Sequence, residues 1–502
     1  MQVQDRINNA TSRKVNCVIP ISLPLLAHLT LATLVTLRVL YRKLDVNTTL
    51  AWAVVLFAFP MVGFGLYLLF GRYRAGRRRR QTYQQIQSEL QQAFHLNSSM
   101  TPRQSDIPAR FSALAQAART QIGFPVLAGN TYQFLTDPGV VLEAMRADID
   151  ACKTSCCLEF YIIEAQGRVT DLLEAIERAA GRGVVCRILA DDFGSSAFFR
   201  SPWADRLRQA GVSLVRSLRV GLPRALFKRS DLRNHRKLLL CDHCVGYIGS
   251  SNLVDPQIFK AERHVGQWVD TIMRVEGPII DALTCMFHTD FMLDRQPTSI
   301  NSADRQPFPQ PPPRRPKSQT GALMQLLPSG PEMGRSYIYD FMISAIYNAS
   351  RRVRIVTPYF IPDPALLLAL ISASARGIQV ELVVPERSDS RLGQYASQAS
   401  YADLLEAGIL IQRYQPGLLH TKAVLIDSDV SVFGTVNLDP RSFYLNLEVS
   451  LILYGREANA NLDVIIDTYV SESQLLGVDQ WAKRSGWTRF LENTLRLTAP
   501  LL

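Results

Sequence analysis

Two long apolar stretches near the start of the chain have no counterpart further on. Residues 18–37 combine apolar side chains with one His and two Pro, and residues 49–70 contain no charged side chain. Each stretch has about the 20 residues that a helix needs to cross the hydrocarbon core of a bilayer. The pattern therefore predicts a membrane anchor over residues 1–80, in which two transmembrane helices form a hairpin.

Beyond the anchor, one succession of apolar strands and amphipathic helices occurs twice. The segment EFYIIEAQGRVTDLLEAIERAAGRGVVCRILADD begins at Glu159, and TPYFIPDPALLLALISASARGIQVELVVPERSD begins at Thr357. In both, an apolar strand is followed by an amphipathic helix, an Arg-Gly helix end and a second strand. This order predicts a βαβ unit with a right-handed crossover. The expected fold is α/β, with two pseudo-symmetric halves at residues 130–295 and 321–502.

Two segments connect these parts. Residues 81–129 are rich in Arg and Gln and predict a helical connector between the anchor and the first half. Residues 296–320 contain RQPFPQPPPRRPKSQT, a Pro-rich run that cannot pack a core and indicates an extended linker between the halves.

Each half contains one copy of a short motif, His-x-Lys-x4-Asp, followed by Gly-x-x-Asn. The distance from the motif Asp to the Asn is ten residues in both copies. Two copies in register are difficult to attribute to chance. The residues are His235, Lys237, Asp242 and Asn252 in the first half, and His420, Lys422, Asp427 and Asn437 in the second.

These residue types suit exchange at a phosphodiester. The apolar run after each Lys predicts a buried strand, whose period of two places His and Lys on one face. One histidine can attack phosphorus as a neutral imidazole and form a covalent phosphoryl-enzyme, while the other donates a proton to the leaving alkoxide. The lysines can neutralise the phosphate oxygens and the asparagines can add neutral donors. This chemistry requires neither a metal nor a cofactor.

At these residues the chain resembles the phospholipase D superfamily, whose duplicated HKD motif builds one active site from two halves. The segments GTVNLDPRSFYLNLEV after the second motif and TPYFIPD at residues 357–363 resemble its bacterial cardiolipin synthase branch. The resemblance covers nearly the whole chain, including the apolar N-terminal part. GSSN replaces a segment that often has two glycines, and Thr435 stands where Ser is commoner; neither change removes a catalytic group.

The resemblance implies a specific reaction. A phosphatidyl group would pass from one phosphatidylglycerol, through a phosphohistidine, to the glycerol hydroxyl of a second, with release of glycerol. Asp270 in WVDT and Glu448 in LNLEV match the carboxylates that orient the catalytic histidines, as in a Ser-His-Asp triad. The motif aspartates are expected to be mainly structural. By analogy His235 is the nucleophile and His420 the acid, although the motifs are too symmetrical for the sequence to decide.

The distribution of charged residues predicts where the protein lies in the cell and what it binds. The net charge of +11 is carried mostly by Arg, and the densest cluster, Arg77 to Arg80, follows the second apolar stretch. Positive clusters stay in the cytoplasm, so we expect a multi-pass protein of the bacterial inner membrane with cytoplasmic catalytic halves. The expected partners are phosphatidylglycerol and other anionic phospholipids, and no nucleic acid. The sequence does not indicate an oligomeric state.

The eight cysteines show no disulfide framework and are typical of reduced cytosolic thiols. Cys241 and Cys244 flank His243 in CDHC, which superficially suggests zinc. A structural zinc site needs a second ligand pair, and the intervening Asp242 belongs to the motif. We therefore do not predict a metal site there.

Three alternatives remain open at this stage. A phospholipase D that hydrolyses its substrate to phosphatidic acid, or another transphosphatidylase, would use the same residues with a different acceptor or lipid. A membrane-tethered nuclease would bind DNA with a strong dependence on salt. A non-enzymatic lipid-binding scaffold would tolerate loss of either motif, yet both copies keep every motif residue.

Overall fold

The computed structural model describes residues 23–41, 46–59, 61–70, 77–93, 106–219, 231–263, 265–295 and 321–496. The chain divides into two compact units. A small unit takes residues 1–72 and 225–229, and a large unit takes residues 73–224 and 230–502. The Pro-rich segment at 296–320, predicted to be a linker, lies outside the described residues.

The small unit contains three packed helices, Leu23–Tyr41, Val46–Ala58 and Val62–Phe70. Val39 and Leu56 lie in its buried core, and Trp52 packs edge-to-face on Tyr67 with ring centroids 5.4 Å apart. Many of the remaining large apolar side chains point outward, including those of Leu34 and Val54.

The second predicted span is divided into two short helices. One helix ends at Ala58 and the next begins at Val62, and the sequence has Pro60 between them. Proline lacks the N–H that continues a helix, and it disfavours helical geometry in the residue before it. Within the part of the chain that the structure describes, no helix is both long enough and apolar enough to cross a membrane. The predicted hairpin of two transmembrane helices is therefore not confirmed.

The large unit is built around strands from both halves. In chain order the strands are β1 Val126–Leu135, β2 Ser155–Phe160, β3 Val185–Asp191, β4 Ser213–Ser217, β5 Lys237–Cys241, β6 Val245–Gly249, β7 Trp268–Val269, β8 Ile272–Glu276, β9 Ala322–Ser329, β10 Arg352–Val356, β11 Gln379–Pro385, β12 Leu410–Tyr414, β13 Leu418–Leu419, β14 Ala423–Ile426, β15 Val430–Gly434, β16 Glu448–Tyr454 and β17 Ser473–Leu475.

Helices cover this sheet. They are Arg77–Ala93, Ala109–Ile122, Pro138–Ala151, Val169–Gly181, Ser196–Arg200, Pro202–Gln209, Ile279–Asp294, Tyr337–Tyr347, Pro364–Ala375, Arg391–Gln398, Tyr401–Glu406, Pro440–Tyr444, Arg456–Ser471, Val478–Ala482 and Gly486–Arg496, with a 3₁₀ turn at Ala261–Arg263.

Fifteen of the described strands form one sheet, and its order shows the duplication. From β9 outward the second half runs β9-β16-β15-β14-β10-β11-β12, with β17 at the edge, and from β1 the first half runs β1-β8-β6-β5-β2-β3-β4. Each half therefore has the same strand order, and antiparallel pairing of β1 with β9 joins them. The predicted α/β fold with two similar halves is confirmed.

The predicted βαβ units are present in both halves. β2 and β3 are parallel and flank the helix Val169–Gly181, and β10 and β11 are parallel around the helix Pro364–Ala375. These strands are almost wholly buried because helices cover the sheet, which explains their continuous apolar sequences.

The connector belongs to the large unit. The helix Arg77–Ala93 packs on the helix Ile279–Asp294, and the helix Ala109–Ile122 buries Phe111 in the main core. β1 begins at Val126, four residues before the predicted boundary of the first half. This part of the chain therefore contributes to the core of the large unit and is more than a spacer before it.

Candidate active site

A second contact between the halves lies at the two motif histidines. The chain before each histidine pairs with the chain before a carboxylate in the other half. In the first, His235 N–H donates to Leu447 O at 2.9 Å. In the second, β13 runs parallel to β7, and His420 N–H donates to Val269 O at 2.8 Å. The same arrangement therefore occurs twice, with the halves exchanged.

These strand contacts place each histidine on a carboxylate of the opposite half. His235 Nδ1 lies 2.9 Å from Glu448 Oε2, and His420 Nδ1 lies 2.7 Å from Asp270 Oδ1. Since the pKa of both carboxyls is lowered, they are ionised acceptors and each Nδ1 carries the proton. Each Nε2 is then left without a proton, and each histidine–carboxylate dyad takes one residue from each half.

The charges of the carboxylates are maintained by their partners. Burial by itself raises the pKa of Asp270, but the charge and hydrogen bond of His420 outweigh it and bring the value to about 2. Glu448 is fully buried, and His235 and Lys237 lower its pKa in the same way. Thr435, the residue that departs from the commoner Ser, donates its hydroxyl to Glu448 Oε2 at 2.6 Å.

Burial favours the neutral form of both histidines. It lowers the pKa of His235 to about 4 against the opposing effect of Glu448, and it lowers the pKa of His420 to about 4 together with the charge of Lys422. A neutral imidazole is the form that can attack phosphorus.

The motif lysines are buried beside the histidines. Lys237 Nζ donates to His235 O at 2.8 Å, and Lys422 Nζ donates to His420 O at 2.5 Å. Burial lowers the pKa of Lys237 to about 8 and that of Lys422 well below its usual value. Because burial destabilises the protonated form of these lysines, a neighbouring anion would stabilise that form strongly. The pair therefore suits a phosphate.

The Gly-x-x-Asn segments lie at the same edge of the sheet as the lysines, because β6 and β15 return antiparallel to β5 and β14. A Cβ on Gly249 or Gly434 would lie 2.3 or 2.2 Å from a carbonyl oxygen of the next strand, so only glycine fits. Asn252 and Asn437 are buried just beyond. Asn252 Oδ1 accepts from Ile162 N–H at 3.3 Å, which directs its amide nitrogen away from that contact.

The motif aspartates lie at the opposite end of the motif strands, about 16 Å from the lysines at the rise of an extended chain. Asp242 accepts three backbone N–H groups of residues 153–155 at 2.7–2.9 Å. Asp427 accepts the N–H groups of residues 350–352 at 2.7–2.8 Å, and Arg110 at 2.5 Å. These contacts hold turns, which fits the structural role expected for both residues.

Aromatic rings, which the motif did not indicate, line the histidines. Tyr161 packs edge-to-face on His235 with ring centroids 5.1 Å apart, and Trp268 packs on His420 at 4.6 Å. Lys260 Nζ lies 4.9 Å from the centre of the Trp268 ring and 3.1 Å from Asp389. The position of Tyr161 in EFYIIE, matched by Tyr in TPYFIPD, was the available sequence signal.

A buried ion pair behind the first motif was also missed. Arg236, between the motif residues His235 and Lys237, is fully buried and ion-paired with Asp290. Its Nε donates to Glu448 O at 3.0 Å and an Nη to Ser329 O at 3.3 Å. The guanidinium thus joins the first half to the strand that carries the orienting Glu448.

One arginine of the basic run is connected to the same region. Arg79 binds Asp294 and Glu332, each at 2.6 Å. Ser217 donates to the second oxygen of Asp294 at 2.6 Å and accepts from the side chain of Asn234, next to the catalytic His, at 3.2 Å. Arg79 is therefore engaged by carboxylates of the catalytic unit and is not available to lipid headgroups.

Comparisons with known proteins agree with this geometry. A family model described as "Cardiolipin synthase, PLD-like domain" matches residues 145–269 and 342–470, and one described as "Phospholipase_D-nuclease N-terminal" matches residues 30–72. The two matched segments of the first model contain the two motifs, one in each half.

Curated relatives match over almost their full length. Cardiolipin synthase A of Serratia proteamaculans (strain 568) is 35% identical over 475 residues, or 93% of this chain and 96% of the relative. Cardiolipin synthase A of Escherichia fergusonii is 36% identical over 485 residues, with the same coverage of each chain.

A solved structure shares the fold. Phosphatidylserine synthase of Haemophilus influenzae Rd KW20 superposes with a TM-score of 0.56 at 14% identity, covering 77% of this chain and 99% of that one. The duplicated motif, the two histidine dyads and the length of the sequence matches lead to one assignment. This chain belongs to the cardiolipin synthase family of phospholipase D-type phosphatidyltransferases.

Proposed function

We propose that the two dyads transfer a phosphatidyl group between two phosphatidylglycerol molecules. His235 Nε2 attacks the phosphorus of the first lipid, the bond from phosphorus to the glycerol oxygen breaks, and His420 gives that oxygen its proton, so glycerol leaves. The glycerol hydroxyl of the second lipid then gives its proton to His420 and attacks the phosphohistidine. The P–N bond breaks, cardiolipin is released and both histidines regain their starting states.

The electrostatics of the site support both histidine roles. The unliganded site favours neutral imidazoles, as attack requires. An anionic phosphodiester between the lysines adds negative charge next to His420, and this raises the pKa of the imidazole so that it can hold the proton it donates. The two buried ammonium groups and the amides of Asn252 and Asn437 would stabilise the charge that develops on the phosphoryl oxygens.

The cross-half pairing of histidine and carboxylate is the observation that carries the proposal. Each carboxylate fixes the proton on Nδ1 and stabilises the imidazolium, as in a catalytic triad. The greater exposure of the His235 side chain, 12% against 4% for His420, favours His235 as the group that meets the lipid first.

The acceptor is tested with purified enzyme and labelled phosphatidylglycerol in detergent. We expect labelled cardiolipin and one glycerol for each turnover. Parallel reactions contain phosphatidylethanolamine or excess glycerol. Phosphatidic acid as the main product would show that water is the acceptor and would overturn the transfer step, while the histidine chemistry would stand. A product that requires phosphatidylethanolamine would identify a different acceptor lipid.

We also propose that the small N-terminal unit holds the enzyme at the inner membrane, with the large unit on the cytoplasmic side. Leu34 and Val54 are among the many large apolar side chains that its helices leave more than half exposed, a surface typical of contact with lipid. The arginines after it favour cytoplasmic retention.

The membrane proposal is tested by truncation. A chain that begins at Tyr73 removes the small unit but keeps Arg79 with its two carboxylates, whereas a chain that begins at Gln81 also loses that arginine. The first truncation should retain activity on detergent-dispersed phosphatidylglycerol and lose much of it on intact vesicles. Equal activity of the truncation and the full chain on vesicles would contradict membrane anchoring by this unit.

A further inference from the structure

Three buried cysteines converge in the first half, away from the histidines. Cys152 ends the helix Pro138–Ala151, Cys156 lies in β2 and Cys241 ends β5. Their Sγ atoms all lie within 4.8 Å of one another, and each residue is at most 4% exposed. The thiol of Cys152 donates to Asp148 O at 3.3 Å.

The second half provides an internal control for this position. Asp242 and Asp427 hold equivalent turns, so Cys152, Cys156 and Cys241 correspond to Ala349, Val353 and Ile426. All three of the corresponding residues are buried as well, at 0–4% exposure. The fold therefore needs only small or apolar side chains here, and the three thiols are a property of the first half alone.

We propose that Cys152, Cys156 and Cys241 form a three-coordinate site for a soft monovalent cation, Cu(I). Thiolates are the ligands that Cu(I) prefers. Closed zinc sites take four ligands, and among the described residues the group that meets this geometry contains three ligand atoms and no fourth. Each Cu–S bond forms as an S–H bond breaks and its proton passes to water, and no electron is transferred because copper enters reduced.

The three cysteines are separate from the motif histidines. Cys152 directly precedes Lys153 and Thr154, which are exposed, so the buried thiols lie close to the protein surface. Cys241 lies at the end of β5 farthest from Lys237. Loading should therefore tie the helix Pro138–Ala151 to the motif strand without occupying the phosphate site.

The test uses the full chain, purified reduced in detergent and titrated anaerobically with Cu(I) against a chromophoric chelator. We expect one tightly bound Cu(I) with sulfur-only ligation by X-ray absorption, and a higher Tm on loading. The variant C152A/C156V/C241I copies the second half, so it should keep basal transferase activity. Its affinity for Cu(I) should fall about 100-fold or more, since loss of even an outer partner of a metal site costs 10–100-fold.

The matched control is C244A, which removes the exposed thiol of the CDHC segment and should bind Cu(I) like the unmodified chain. If the triple variant does not fold, C156V and C241I are measured singly, and each should weaken binding. Unchanged binding in these variants would overturn the proposal. Tighter binding of Zn(II) with oxygen or nitrogen ligands would also overturn it, as would a stable disulfide between two of the three cysteines in the reduced preparation.

Discussion

The two halves place different residues between the His and the Lys of the motif. The first half has Arg236, buried in an ion pair with Asp290. The second half has Thr421, whose hydroxyl lies 3.0 Å from Thr271 Oγ1 and 3.1 Å from Tyr469 Oη. The motif histidines and lysines are thus duplicated, while the residue between them is charged in the first half and neutral in the second.

The first half also has buried carboxyl groups next to its motif. Burial raises the pKa of Glu159, which accepts from Asn234 at 2.8 Å, to about 7, and it raises the pKa of Asp191, which accepts the N–H of Asn234, to about 6. In this chain the motif residues and their carboxylates are duplicated, whereas the residues that support them differ between the halves.

The largest expected effect tests whether the halves act as one site. Replacing His235 or His420 with Ala should each lower kcat by about 10²–10⁴, the contribution of a positioned acid or base. The double variant should be little slower than either single variant because the residues act as a unit. Turnover is measured with labelled phosphatidylglycerol in detergent. Near-normal activity in either single variant would refute the single-site arrangement.

The next effect separates the two dyads. E448Q and D270N keep the size of the side chain but no longer stabilise an imidazolium, so each should slow transfer by about 10² while the thermal unfolding curve is retained. Since Glu448 serves His235 and Asp270 serves His420, and glycerol leaves in the step that forms the phosphohistidine, both variants should slow this step with phosphatidylglycerol. A phosphatidyl ester of p-nitrophenol has a leaving group that needs no acid, so it should restore formation of the phosphohistidine in D270N but not in E448Q. Rapid-quench trapping of the phosphoenzyme with this substrate distinguishes the two roles. Identical trapped amounts in both variants with this substrate would contradict the assigned roles.

Arg236 and Thr421, the residues between the His and the Lys of each motif, should contribute differently to the free energy of unfolding. R236M leaves Asp290 buried and unpaired, which should cost about 3–5 kcal/mol of unfolding free energy. T421V should cost about 1 kcal/mol, because the Thr271 and Tyr469 hydroxyls, 2.7 Å apart, still bond to each other. Urea unfolding of both variants measures the contrast. The pair replacement R236M/D290L should recover most of the loss, and equal costs for R236M and T421V would argue against the comparison.

The smallest expected effect is on the pH dependence of stability. Both histidines have a folded-state pKa of about 4, below the ordinary value near 6.5, so the unfolded chain binds more protons between these values. Their contribution to stability is complete above about pH 6.5 and is lost as pH falls toward 4. Unfolding midpoints of the unmodified chain should fall over this interval, and H235N/H420N should flatten the profile. A steeper profile in the double variant would contradict the assignment.

Local patterns in the sequence predicted most of the fold. The βαβ units and the buried strands after Lys237 and Lys422 follow from patterns within a few tens of residues. Asp270 and Glu448 are expected only from the resemblance to a known family, and local patterns do not show which histidine each carboxylate contacts. Glu448 lies 213 residues after His235, and Asp270 lies 150 residues before His420, so spacing alone cannot distinguish pairing within a half from pairing across halves.

Other features that the sequence did not predict also have specific physical causes. Arg236 reads as an ordinary charged residue until the strand order brings Asp290 beneath it. Arg79 belongs to a run that indicates cytoplasmic retention, and its carboxylate partners become visible only when its helix packs on Ile279–Asp294. The break in the second apolar stretch had a local signal, Pro60, which the length of the stretch outweighed in the prediction.

The exchange of carboxylates between halves also has a consequence for biosynthesis. When the first half leaves the ribosome, His235 lacks Glu448, and the Asp270 that it carries has no histidine to orient. Phosphoryl transfer can start only after nearly 450 residues have been made and the late strand β16 has paired with β9. An incomplete nascent chain that ends before Glu448 therefore lacks the carboxylate that fixes the proton on His235.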